Sequence, residues 1–181
     1  MFNYVGDISE LSHYIVTNFI KNKVVAIDAT LGNGYDSDFL SDKFKTVYSF
    51  DIQNSACENY KRKKKENVKI ILDSHHKLDE YISGNVDCIM YNLGFLPGTS
   101  KDITTLHDTS MESIKKGLEL LNEGGIMTIC IYIGHDEGEK EKSCILDYVK
   151  GLSKKEYGVM LHKFLNRSNV APMLVVIEKK S

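Results

Sequence analysis

Val24-Val25-Ala26-Ile27-Asp28-Ala29-Thr30-Leu31-Gly32-Asn33-Gly34 decides the reading of this chain. The apolar, β-branched start reads as a buried strand, and the glycines that close it read as a turn. Gly has no Cβ, so Leu31-Gly32-Asn33-Gly34 can take positive φ and bring backbone close to a ligand. Asp36 to Leu40 then begins a helix with Phe39 and Leu40 facing inward. Strand, glycine turn and helix make the first unit of a doubly wound α/β fold, in which ligands sit at the carboxyl ends of the strands.

The glycines do not complete a dinucleotide fingerprint. Gly32 and Gly34 fit G-x-G-x-x-G/A, but Ser37 occupies the third small position. Asp28 at the strand end would meet a pyrophosphate with negative charge. It suits a cation better, and S-adenosylmethionine carries a sulfonium and an ammonium. A second strand, Thr46 to Gln53, ends in Asp51, which stands 19 residues after Gly32. An acidic residue at about that spacing accepts hydrogen bonds from ribose hydroxyls. Gln53 then lines the adenosine edge.

Composition sets the outer limits. The chain has 181 residues, 42% hydrophobic and 27% charged, which suits one globular domain spanning residues 1–181. A net charge of −2 gives no global field for nucleic acid, so any such contact needs a local patch. Cys57, Cys88, Cys130 and Cys144 show no CxxC spacing, and no run is apolar enough to span a membrane. A reducing cytoplasm and no metal are expected.

Outward from the turn, Ile8, Leu11, Ile15, Phe19 and Ile20 predict a helix over 8–22 capped by Ser9, with His13 half-buried on it rather than a ligand. A helix over Ser55–Lys65 carries Lys61-Arg62-Lys63-Lys64-Lys65, which reads as a solvated face or, alternatively, as RNA phosphate contacts. The third strand is Val68–Leu72, followed by Asp73-Ser74-His75-His76, where capping and adenine contact are both open. The fourth strand, Val86–Tyr91, runs into Asn92-Leu93-Gly94-Phe95-Leu96-Pro97-Gly98 at the topological switch point. An amide oxygen and backbone carbonyls there would orient an amino substrate, and Phe95 would stack on a base. A helix over Ser110–Asn122, ended by Gly124-Gly125, leads to a strand over Ile126–Ile133 and then Gly134-His135, where His135 could act as a base. A helix over Glu139–Leu152 and an antiparallel pair, Tyr157–Leu165 with Met173–Lys179, complete the chain.

Together, Asp28 to Asp36, Phe50-Asp51-Ile52-Gln53, Ser74-His75, Asn92 to Gly98, Lys101 with Ile103-Thr104-Thr105, Gly134 to Gly138 and Ile177 to Lys180 resemble one family. It is the small bacterial S-adenosylmethionine-dependent methyltransferases known as rRNA methylases. Some of its members methylate the amino group of 5-aminomethyl(-2-thio)uridine at the tRNA wobble position. The resemblance implies a Rossmann-like class I methyltransferase: a seven-stranded, mostly parallel sheet with a C-terminal antiparallel hairpin and helices on both faces.

It also implies the site. Asp28, Thr30, Gly32, Asn33, Gly34, Asp36, Asp51, Ile52, Gln53, Ser74, His75 and Asn92 would face S-adenosylmethionine. Leu93, Gly94, Phe95, Pro97, Lys101 and Thr104 would face the anticodon loop of a tRNA. Asn92 would orient the amine, with His135 or Lys101 assisting proton loss. Self-association into a homodimer is left open. Tyr35, Thr99-Ser100 and Ala171 depart from the family pattern, and the first two bear on substrate preference. The alternatives are a methyltransferase for rRNA or a small amine, and an NAD-binding oxidoreductase.

Overall fold

The structure, a computed structural model, describes residues 2, 4–94, 107–133 and 136–181. Seven strands are β1 (Val25–Asp28), β2 (Thr46–Asp51), β3 (Val68–Leu72), β4 (Val86–Leu93), β5 (Leu121–Ile131), β6 (Tyr157–Lys163) and β7 (Met173–Lys179). They lie in the order β3-β2-β1-β4-β5-β7-β6. β1 to β5 run parallel, and β7 is antiparallel to both β5 and β6. The chain reverses its direction of travel between β1 and β4, so the switch point lies between these two strands.

Helices α1 (Ile8–Phe19), α2 (Tyr35–Ser41), α3 (Asn54–Lys61), α4 (Leu78–Tyr81), α5 (His107–Leu120) and α6 (Asp136–Lys150) cover the sheet. Successive side chains of a strand point to opposite faces. Accordingly Cys88 and Met90 of β4 pack with Ile15 and Val16 of α1 and Leu40 of α2. Ile89 and Tyr91 pack with Ile114 and Leu118 of α5 and Ile145 of α6. A central strand covered on both faces is mostly apolar, and Val86–Tyr91 is buried throughout, its one charged residue, Asp87, accepting the Val24 and Val25 N–H groups.

Several boundaries differ from the sequence expectation, each for a local reason. Asp7, not Ser9, caps α1, its carboxylate accepting the Ser9 N–H at 2.6 Å. α1 stops at Phe19, whose side chain is exposed rather than inward. α3 stops at Lys61, the first residue of the basic run, and Lys64 takes φ of 52° in the turn beyond it. Gly124-Gly125 does not end α5; it lies inside β5, where the register with β4 shifts between Val86 and Cys88. Leu121 is buried opposite Val86, and the Asn122 amide donates to Asp87 at 2.7 Å, so pairing begins before the glycines.

Candidate functional site

The carboxyl ends of β1, β2, β3 and β4 converge on the glycine turn. Gly32 and Gly34 both adopt positive φ, 47° and 80°. A Cβ on Gly34 would come within 2.2 Å of the Tyr60 ring, so glycine is required there for space as well as conformation. The Leu31 N–H donates to Phe50 O at 2.8 Å and the Gly34 N–H to Leu31 O at 2.6 Å. Asp51 fastens the turn from the neighbouring strand, one oxygen accepting the Gly32 N–H and the other the Gln53 N–H, both at 2.8 Å. Ile52 beside it is exposed, an apolar wall at the rim.

Asp28 lies beneath this turn. It is fully buried, accepting the Thr30 N–H at 3.1 Å and the Ser37 hydroxyl at 2.5 Å, while Ser37 also meets Ser49 at 2.7 Å. Burial, reinforced by the negative charge of Asp36, pushes its carboxyl up to about 7 against those two hydrogen bonds. Asp28 therefore braces the turn from below.

The fourth strand brings Asn92 to the same end. Its backbone N–H donates to Thr30 Oγ1 at 2.8 Å, which ties β4 to the start of the turn. Its side-chain Nδ2 donates to Asp36 Oδ2 at 2.5 Å, and Asp36 Oδ1 meets His13 Nε2 at 2.6 Å. Among the described residues, Asn92 Oδ1 meets only the Ser9 hydroxyl, at 3.5 Å, and that hydroxyl lies 3.0 Å from Tyr132 Oη. Leu93 is buried, and its carbonyl accepts the Tyr132 N–H at 3.0 Å. Gly94 has φ of 146° with the Tyr132 Cβ close behind it.

His75 closes the site from β3. Its Nδ1 lies 3.1 Å from Ala29 O, so Nδ1 carries the proton, and its ring meets Tyr91 edge-on. Burial holds the imidazole neutral, with its pKa pulled down to about 4. Its Nε2 is buried without a hydrogen-bond partner among the described residues. A buried, neutral acceptor of this kind fits a ligand N–H or O–H. Ser74 bonds to His76 at 2.7 Å rather than capping the turn, and Asn33 is exposed at the mouth.

Phe95, Pro97, Lys101, Thr104 and His135 lie outside the described residues. Three members of the basic run pair with acids: Lys61 with Glu58, Lys63 with Asp38 and Lys65 with Asp42. A cavity of about 250 Å³ lies along the N-terminal segment and β6, lined by Tyr4, Leu11, Leu161 and Phe164 among others, and does not include Asn92 or the turn. Three residues of the site were not expected: Ser9, His13 and Tyr132. Ser9 and His13 stand four apart on α1 and so share a helix face, a polar signal beside the apolar one.

A family model described as "Putative rRNA methylase" matches residues 47–178. The chain belongs to the rRNA methylase family. Among its relatives is the chloroplastic tRNA (mnm(5)s(2)U34)-methyltransferase of Arabidopsis thaliana, 32% identical over 95% of this chain and 69% of that protein. A structure from Clostridium thermocellum with the same rRNA-methylase description is 37% identical, covers 97% of this chain and 98% of that one, and superposes with a TM-score of 0.92. A methyltransferase of the same shape from Streptococcus mutans, in complex with SAH, is 39% identical over 97% and 99% of the two chains, with a TM-score of 0.89. The seven-stranded sheet with its antiparallel hairpin is thus the Rossmann-like fold of S-adenosylmethionine-dependent methyltransferases.

Proposed function

We propose that this rRNA methylase family member transfers the methyl group of S-adenosylmethionine to an RNA amino group. The finer reading is the amino group of 5-aminomethyl(-2-thio)uridine at the tRNA wobble position. One observation carries it: Asn92, at the switch point beside the glycine turn, presents an amide oxygen whose one partner among the described residues is the Ser9 hydroxyl at 3.5 Å. The name of the Arabidopsis relative, a wobble-uridine methyltransferase, supports the finer substrate.

The residues present suit the cofactor. The glycine turn admits close backbone approach, the Asp51 carboxylate beside it would accept ribose hydroxyls, and His75 Nε2, unpartnered among the described residues, would offer an acceptor. When bound, S-adenosylmethionine supplies a methyl carbon on a positively charged sulfur. Asn92 Oδ1 accepts an N–H of the neutral amine and turns its lone pair toward that carbon. The N–C bond forms as the C–S bond breaks, with its electrons leaving on sulfur, and the product ammonium then sheds a proton. Orientation of this kind is worth on the order of 7–11 kcal/mol of a barrier at most.

Nucleoside mass spectrometry of bulk tRNA from a strain lacking the gene tests the reading. Accumulated 5-aminomethyl(-2-thio)uridine is expected. An unchanged tRNA profile, with the purified protein methylating rRNA alone, overturns the finer substrate. The cofactor half has its own test. Asp51→Ala removes an acceptor for ribose hydroxyls, and a charged hydrogen bond is worth about 1.5–3 kcal/mol. S-adenosylmethionine affinity by calorimetry should fall roughly tenfold or more, with the fold intact by circular dichroism.

A further inference from the structure

We infer that His13 is a positioning residue for methyl transfer: through Asp36 it holds the Asn92 amide with its oxygen turned toward the incoming amine. The inference rests on the reading above that Asn92 meets the substrate.

Three elements contribute one group each. His13 comes from α1, Asp36 from the first turn of α2 and Asn92 from the end of β4. An ionised carboxylate only accepts hydrogen bonds. The group of Asn92 facing Asp36 at 2.5 Å is therefore its NH₂, and Oδ1 must point the other way. The same logic puts a proton on His13 Nε2, 2.6 Å from the second oxygen of Asp36. Asp36 is 6% exposed, so both oxygens need donors, and the structure supplies one to each.

The ring of His13 is itself fixed. It stacks on Phe39 with centroids 3.9 Å apart and planes 5° from parallel. Phe39 belongs to α2, three residues after Asp36 and so on the same side of the helix. The imidazole thereby locks α1 to α2 by a stack and a hydrogen bond together.

Orientation matters here because an amide has two unlike ends. The terminal torsion of Asn is broad and roughly two-fold, so only neighbours decide which end faces the site. With Oδ1 outward, Asn92 accepts an N–H and leaves the amine lone pair free. With the NH₂ outward, it would donate to that lone pair, the electrons the reaction needs. If His13 is lost, Asp36 keeps one donor, becomes free to rotate toward solvent and releases the clamp.

The test compares His13→Phe with His13→Gln. Phe keeps a ring over Phe39 and has no donor, while Gln offers an N–H near the position of Nε2. At saturating S-adenosylmethionine, His13→Phe should lower kcat on hypomodified tRNA about tenfold or more, with KM for the RNA unchanged; an ångström of misplacement costs on the order of a hundredfold. His13→Gln should restore most of the loss. Wild-type kcat in His13→Phe overturns the inference, as does a loss that Gln does not restore. A second readout does not depend on the substrate. In the ¹⁵N spectrum the Asn92 side-chain amide should move toward the position of a free amide in His13→Phe and stay in His13→Gln; an unmoved resonance overturns the inference. If the wild-type protein methylates no tRNA, the substrate reading fails, and the spectrum alone decides the role of His13.

Discussion

The corner at the ends of β1 and β2 and the flanking corner, made of His75 after β3 and Asn92 at the end of β4 on either side of that pair, use their polar groups in opposite ways. In the first, Asp28, Ser37, Ser49 and Asp51 spend their polar atoms on one another and on backbone N–H groups. In the second, among the described residues, Asn92 Oδ1 has one contact at the outer limit of a hydrogen bond, and His75 Nε2 has none. A satisfied network holds its shape without a ligand, so the first corner is a preformed cradle. An underused acceptor costs free energy until something donates to it, so the second corner is where a ligand gains most.

The largest effect should come from emptying the second corner. Asn92→Ala removes the acceptor that aims the amine and should lower kcat on the order of a hundredfold. The cradle is untouched, so S-adenosylmethionine affinity by calorimetry should hold. Near-normal kcat would mean that backbone carbonyls alone do the aiming.

Next in size is damage to the cradle. Gly34→Ala puts a side chain at φ of 80° and against the Tyr60 ring. Backbone strain of that kind costs about 1–3 kcal/mol before the ring moves. Tm should fall by roughly 2–4 °C for each kcal/mol, read by calorimetry. An unchanged Tm would show that the turn is not rigid.

A pH titration separates the corners further. Asp28 is pushed up to about 7, so between its unfolded value near 4 and pH 7 the folded chain holds the extra proton, and stability falls as pH rises. His75 is pulled down to about 4, so the unfolded chain holds the extra proton between about 4 and 6.5, and stability there rises with pH. Asp28→Asn removes the first effect and leaves the second. By urea denaturation, the variant should gain on wild type from pH 4 to 7 and stay level above it. A pH-independent difference would place the burial cost elsewhere.

The smallest effect belongs outside both corners. Lys63 and Lys65 pair with Asp38 and Asp42 across partly exposed surface. Such pairs are worth about 0–1 kcal/mol. Replacing both lysines with Ala should change stability by no more than about 2 kcal/mol for the two pairs and leave the salt dependence of the RNA KM unmoved. A flattened salt dependence would restore the run as a phosphate contact.

What the chain shows as a sequence is local. The glycine turn, Asp51 at its spacing, five strands alternating with helices and the closing hairpin are periodicities and short offsets, set within a window of some 20 residues. Even there, neighbours overrode pattern. Asp7 took the cap that Ser9 could have served, and pairing with Val86 pulled Leu121 into β5 ahead of the glycines. The burial of Asp28 and the pairing of the basic run with α2 needed the packed fold. So did the clamp at Asn92. Its bonds join His13 to Asp36 across 23 residues, Asp36 to Asn92 across 56 and Ser9 to Asn92 across 83. No pattern along the chain encodes those distances. They exist because the parallel sheet brings the ends of β1 and β4 side by side and lays α1 and α2 on the same face above them.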